Sequence, residues 1–68
     1  MKVYYKTTID YDKTLRQMSV GEEVEVKTSD QDVQNVRNSV SKIRKRNAIP
    51  GEFTVHRTIS GALIRRIA

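Results

Sequence analysis

One stretch of the chain, residues 32–47, has a clear helical period. Val33, Val36, Val40 and Ile43 recur at intervals of three and four residues, which places them on one stripe of an α-helix. Such a stripe is buried when the helix packs across a sheet. The opposite side of the helix carries amides, a hydroxyl and cations but no carboxylate: Gln34, Asn35, Asn38, Ser41, Lys42, Lys45 and Arg46.

Residues that favour helix ends lie on both sides of this stripe. Ser29, with Asp32 three residues later, fits the spacing of a capping box, and Asp30 is the alternative N-cap. At the other end, Asn47 is suited to the left-handed conformation of a helix C-terminus, and the Pro-Gly pair that follows prevents continuation. We therefore expect a helix over about residues 30–47.

The segments around this helix have the pattern of strands. Residues 2–9 and 22–27 alternate polar with apolar side chains, and β-branched residues are frequent in both. Residues 53–67 contain two further apolar runs and are expected to form a hairpin. Between the first two strands, residues 10–13 have the composition of a turn, and residues 14–19 offer a single helical turn.

The turn of the hairpin is expected at Ile59-Ser60-Gly61 and admits two registers. A two-residue loop of Ser60 and Gly61 would leave both faces of the hairpin mixed. A three-residue loop places Gly61 at the left-handed position that such turns need, and we prefer it. One face then carries Phe53, Val55, Leu63 and Ile67 with Arg57 and Arg65, and the other carries Thr54, His56, Thr58, Ile64 and Arg66.

Length and composition limit the size of the core. The 68 residues, of which 37% are apolar and none is Trp, form one domain, residues 1–68, near the lower limit for folding without disulfides or metals. We predict the α+β class with element order ββαββ, a small antiparallel sheet of three to four strands with one helix packed on a face. A homodimer would bury further apolar surface beside so small a core, and it is the alternative to a monomer.

Several functional classes lack the residues they need. Without cysteine there is neither a disulfide nor a thiolate metal site, and one histidine, His56, is too few for zinc. A Gly-rich phosphate loop and a catalytic set of His, Asp and Ser are also missing, so we expect no enzymatic activity, no metal and no cofactor. The sequence has no signal-peptide pattern and no apolar run of membrane-spanning length, which predicts a soluble cytoplasmic protein.

The positive charge of the chain is unevenly distributed. Residues 1–27 contain five lysines and arginines and five acids, whereas residues 33–68 contain eight lysines and arginines against Glu52 alone, a net charge of +7. The second half is therefore where a polyanion would bind. The alternative interpretation is that these cations are solvated and that those near the helix C-terminus stabilise its dipole.

Seven residues are predicted to bind nucleic acid, because Lys and Arg contact phosphates while Arg, Asn and Gln read base edges. They are Asn38, Lys42, Lys45 and Arg46 on the helix and Arg57, Arg65 and Arg66 on the hairpin. Arg37 and Arg44 lie beside the apolar stripe, where we expect them to reach over the sheet edge toward Glu23 or Glu25. The predicted partner is nucleic acid, with duplex DNA favoured and an affinity dominated by phosphate contacts. The alternative is a protein-interaction module or inhibitor that docks its basic face on an acidic host protein, since charge alone does not separate the two.

Short motifs in four segments give the chain a resemblance to a known group. The segments are LRQMSVGE at residues 15–22, NVRNSVSKIRKR at the helix, and FTVHRT and LIRRI in the hairpin. This pattern resembles small uncharacterised basic proteins of bacteriophages, which have a Gly-Glu turn into a strand, an Asn-Val-Arg helix opening and a closing basic hairpin. The resemblance covers about residues 15–67 and implies a phage or prokaryotic setting with binding to nucleic acid or a host factor. It implies no catalytic residue.

Overall fold

The computed structural model describes residues 2–68, which form four strands and two helices. In chain order they are β1 (Lys2–Tyr5), α1 (Tyr11–Gln17), β2 (Glu23–Lys27), α2 (Val33–Arg46), β3 (Phe53–Thr58) and β4 (Gly61–Arg66), with one turn of 3-10 helix (Asp30–Asp32) leading into α2. The sheet has the order β1-β2-β4-β3, in which β1 and β2 are parallel and the other two pairs are antiparallel. Within the described residues neither helix has both the length and the apolar character of a membrane span.

The predicted α+β class is confirmed, but the sheet is mixed and the order ββαββ is only partly matched. The difference comes from α1, which connects the parallel strands β1 and β2, as parallel pairing requires a crossover connection. Asp10 accepts a hydrogen bond from the Lys13 backbone N–H at 3.1 Å and so acts as the N-cap of this helix. The segment predicted as a turn is therefore the beginning of α1.

One core joins the two helices to one face of the sheet. The stripe predicted to be buried is buried: Val33, Val36 and Val40 are at most 3% exposed, and Ile43 is half-buried against them. The other buried apolar side chains are Leu15 and Met18 near α1, Val24 and Val26 in β2, Ile49 after α2, and Val55, Ala62 and Ile64 in the hairpin.

The hairpin has a register that differs from the preferred prediction. Thr58 pairs with Gly61, so the loop consists of Ile59 and Ser60 alone, and Val55 pairs with Ile64. Ile64 and Ala62 thus face the core, and Leu63 faces the opposite side of the sheet. The predicted three-residue loop, with Gly61 in the turn, was therefore wrong. Gly61 instead belongs to β4, pressed against the backbone of β2, where an added Cβ would overlap the Val26 carbonyl oxygen.

Both predicted ends of α2 are also corrected. The Ser29 hydroxyl donates to the Asp32 carboxylate at 3.2 Å and caps no backbone N–H, so the capping box does not form. At the other end Asn47 has a φ of −99°, and the left-handed residue is Ala48 with a φ of 51°. The side-chain amide of Asn47 instead donates a hydrogen bond to the Asp12 carboxylate of α1 at 2.9 Å.

Candidate nucleic-acid interface

Four of the predicted binding residues share one face of α2. Asn38, Lys42, Lys45 and Arg46 are all exposed, because they lie on the side of the helix opposite the buried stripe. We call these four residues the cationic face. It covers mainly the last two turns of the helix, where the negative end of the helix dipole also favours cations.

Within residues 2–68, the lysines and the arginine of the cationic face form no ion pair. Among residues 2–68 the ion pairs are Lys6–Asp32 at 3.3 Å, Arg16–Asp12 at 2.9 Å and Arg57–Asp30 at 3.1 Å. None of these pairs involves Lys42, Lys45 or Arg46. The three cations are therefore available to an anionic partner without first releasing a carboxylate.

A short relay of hydrogen bonds orients the amide of Asn38. Arg37 donates through Nη1 to Oε1 of Gln34 at 2.7 Å, and Nε2 of Gln34 donates to Oδ1 of Asn38 at 3.0 Å. The oxygen of Asn38 is thereby engaged, and its NH₂ group is left to donate outward. Phosphate oxygens and the acceptor atoms of base edges are the groups that such a donor contacts.

The three hairpin arginines have different surroundings from the residues of the cationic face. Arg57 pairs with Asp30, at the opposite end of α2 from Arg46. Arg66 donates to the backbone carbonyl oxygens of Met18 and Ala68 at 2.8 and 3.0 Å, so its guanidinium links separate chain segments. Arg65 follows the buried Ile64 in β4 and consequently points to the face of the sheet that carries no helix.

Arg37 reaches a sheet edge, as expected, whereas Arg44 reaches the loop before β3, and neither contacts the expected partners. Arg37 donates through Nη2 to the Val55 carbonyl oxygen at 3.0 Å, and Arg44 donates through Nε to the Gly51 carbonyl oxygen. The expected partners Glu23 and Glu25 belong to β2, which is an interior strand, whereas β3 is the edge beside α2. Strand order cannot be read from the pattern of a single strand, which explains the error.

An additional cation, Arg16, lies at the C-terminal end of α2. Its Nη2 donates to the Asn47 carbonyl oxygen at 3.1 Å and its Nε donates to Asp12 at 2.9 Å. The hydrogen bond from Asn47 and that from Arg16 hold the pKa of the Asp12 carboxyl below its ordinary value. Because Asp12 accompanies Arg16, the pair adds no net charge to the cationic face. The spacing of four residues between Asp12 and Arg16 was the signal in the sequence that could have identified α1 and this contact.

A second carboxyl with a lowered pKa, that of Asp32, lies at the start of α2. Asn35 donates to Asp32 at 3.1 Å and Lys6 lies 3.3 Å from it, and these contacts lower the pKa of the Asp32 carboxyl. The N-terminal end of α2 is thus the acidic end, since Asp30 and Asp32 both lie there. Both carboxylates are paired with cations, Asp30 with Arg57 and Asp32 with Lys6, so the surface of this helix is close to neutral at its beginning and cationic at its end.

No cluster of His, Asp and Glu suited to holding a metal ion occurs in residues 2–68. Comparison of the chain with models of protein families, with curated proteins and with solved structures finds no match.

Proposed function

We propose that this chain is a small basic nucleic-acid-binding protein that binds duplex DNA through the cationic face of α2. The observation that carries the proposal is the absence of carboxylate partners for Lys42, Lys45 and Arg46 among the described residues, although three other cations are paired. The outward NH₂ group of Asn38, one turn before Lys42, adds a hydrogen-bond donor to this face. Such a face contacts phosphates chiefly and gives a salt-sensitive affinity.

The resemblance to small basic bacteriophage proteins supports this proposal and adds a setting, the cytoplasm of a host cell. Enzymatic activity, metals and cofactors have no part in it. We also propose a homodimer, because so small a core gains stability from a second copy. Light scattering during size-exclusion chromatography measures the molar mass, and a value for a monomer would refute the homodimer.

The test is fluorescence anisotropy with labelled duplex DNA, single-stranded DNA and RNA over a salt series. Three phosphate contacts predict a slope of roughly −2.7 for the logarithm of the binding constant against the logarithm of the salt concentration on a duplex. Absence of binding to duplex DNA at about 50 mM salt, or binding without a salt slope, would refute the proposal.

A matched pair of variants tests the location of the site. The first variant reverses the charges of the cationic face with Lys42→Glu, Lys45→Glu and Arg46→Glu. The control makes the same change in net charge at exposed positions elsewhere, with Lys2→Glu, Lys13→Glu and Lys27→Glu. Duplex binding should be abolished only in the first variant. An equal loss in both would mean that net charge, and not the cationic face, determines binding.

A further inference from the structure

A groove of about 550 Å³ runs between α2 and the edge strand β3. The apolar side chains that line it are Val40, Phe53, Val55 and Ile67. Ile67 remains 49% exposed, so the groove leaves apolar surface uncovered. An occupant that covered these side chains would gain hydrophobic free energy in proportion to the area buried.

The strand wall of the groove offers unpaired backbone groups. β4 covers only one side of β3, and the Val55 carbonyl points away from β4, because it accepts a hydrogen bond from Arg37 of α2. In an antiparallel pair the residues alternate between bonding the neighbour and bonding outward, so Phe53 and Arg57 direct their N–H and C=O groups the same way as Val55. Within residues 2–68, Arg37 makes the one side-chain hydrogen bond to this edge. The edge can therefore accept a further strand.

The helix wall of the groove is cationic. Arg37 and Arg44 are separated by two helical turns, or roughly 10 Å, and Glu52 is the single acid among the described lining residues. Arg37 uses both Nη atoms in hydrogen bonds to neutral acceptors, whereas Arg44 uses only Nε. A carboxylate is a stronger acceptor for a guanidinium than a carbonyl. A carboxylate-bearing occupant would therefore draw Arg37 away from Val55 and free that carbonyl for a backbone N–H.

We propose that the groove between α2 and β3 is a docking site for an extended acidic peptide segment of a partner protein, which adds to β3 as a fifth strand. In this mode of recognition the main chain of the peptide bonds the sheet edge and its alternate side chains enter the groove. The apolar side chains of the peptide cover Val40, Val55 and Ile67, and its carboxylates meet Arg37 and Arg44. The groove lies on the side of α2 that carries Arg37 and Arg44, whereas Lys42 and Arg46 of the cationic face point away from it, so the two sites can be tested separately.

The probe is a fluorescein-labelled, end-capped peptide of seven residues, titrated with the full chain and followed by anisotropy. Glutamate and valine take turns at its alternate positions 1, 3, 5 and 7, so that both face the groove, and threonine occupies the positions between them. A peptide of the same length with lysine in place of glutamate is the control for charge. The proposal expects the acidic peptide to bind at least ten times more tightly than the basic one. Equal binding of the two, or no binding of the acidic peptide at millimolar protein, overturns it.

Strand addition is tested on the unaltered protein with N-methylated versions of the acidic peptide. Methyl groups on alternate backbone nitrogens remove the N–H groups on one edge of the peptide only. One of the two alternate patterns should lose binding at least ten-fold and the other should retain it. Equal affinities for both patterns would overturn the proposal, since purely electrostatic attachment does not distinguish the edges.

Matched variants locate the site and separate it from the nucleic-acid interface. Arg44→Glu should weaken acidic-peptide binding at least ten-fold while duplex DNA binding at the cationic face persists, because Arg44 takes no part in the hydrogen bonds that orient Asn38. The control, Lys42→Glu, has the same net charge and should show the reverse. If the control loses the peptide as severely as the groove variant does, the peptide binds elsewhere and the proposal is wrong. Circular dichroism verifies that each variant is folded, and the N-methyl peptides decide the question if a variant is not.

Discussion

Replacing Gly61 with alanine should be the most destabilising single-methyl change in the sheet. An ideal Cβ at this position would overlap the Val26 carbonyl oxygen and lie 2.7 Å from the Thr28 backbone nitrogen. Both atoms belong to the backbone and cannot rotate away as a side chain could. The φ of 152° is itself a conformation that alanine rarely adopts. β2 and β4 would have to separate locally to admit the methyl group.

The cost of this substitution can be compared with the stability of the whole domain. The backbone conformation costs about 1–3 kcal/mol for a residue other than glycine, and overpacking adds about 1–3 kcal/mol. A domain of this size has a free energy of unfolding of roughly 3–10 kcal/mol. Gly61→Ala should therefore remove about half of the stability and lower the Tm by roughly 10 °C or more.

The matched control is Gly21→Ala. Gly21 also has a positive φ, 88°, but no atom lies within 4 Å of its ideal Cβ, so only the conformational cost of about 1–2 kcal/mol applies. Urea and thermal unfolding, followed by far-ultraviolet circular dichroism, measure both variants. If the two substitutions cost the same, Gly61 lies in a turn, as a three-residue loop would require, and the pairing of Gly61 with Lys27 is incorrect.

Three further changes follow from local features. Tyr11→Phe should raise the free energy of unfolding by about 1 kcal/mol, because the Tyr11 hydroxyl is buried without a hydrogen-bond partner; a lower Tm than wild type would contradict this. Ala48→Gly should add up to about 1 kcal/mol by relieving the left-handed φ of 51°, and a urea midpoint below that of wild type would count against the reasoning. Asp12 and Asp32 have pKa values below their ordinary 3.8 in the folded protein, so their contribution to stability is present above that pH and is lost as the pH falls through the lowered values. Asp12→Asn with Asp32→Asn should therefore be less stable than wild type at pH 7, with a difference that shrinks as the pH falls below 3.8, and a difference independent of pH would exclude this explanation.

The parts of the fold predicted from the sequence are those in which a periodic pattern extends over several turns. The valine stripe of α2 is long, and both its burial and the exposure of Lys42 and Lys45 follow from helical geometry. α1 is only seven residues long, and its aspartates are as common in turns as at helix ends, so local composition did not distinguish the two. The parallel pairing of β1 with β2 depends on contacts distant in sequence and leaves no local pattern.

The hairpin shows why the remaining prediction failed. A shift in loop position by one residue moves every side chain of β4 to the other face, and the apolar residues Leu63 and Ile64 are adjacent, so hydrophobicity alone suits either register. The register is decided by the close contact between Gly61 and the Val26 carbonyl oxygen, and this contact exists only in the assembled sheet. The surroundings of Arg57 and Arg66 could not be predicted either, because their partners Asp30 and Met18 are distant in the sequence. Their charges were visible in the sequence, but their neighbours were not.

The position of β4 has a consequence for the newly made chain. β4 follows β1, β2 and β3 in sequence but lies between β2 and β3 in the sheet, so residues 61–66 leave the ribosome after the strands they join. Until then β2 has no antiparallel neighbour, and its Val24 and Val26 have no complete core to enter. Exposed β-branched strands of this kind tend to pair with one another between chains. Glu23 and Glu25 alternate with these valines, and their repulsion makes such pairing unfavourable while synthesis is completed. We therefore expect Glu23→Val with Glu25→Val to increase aggregation of the unfolded chain, which light scattering during refolding measures.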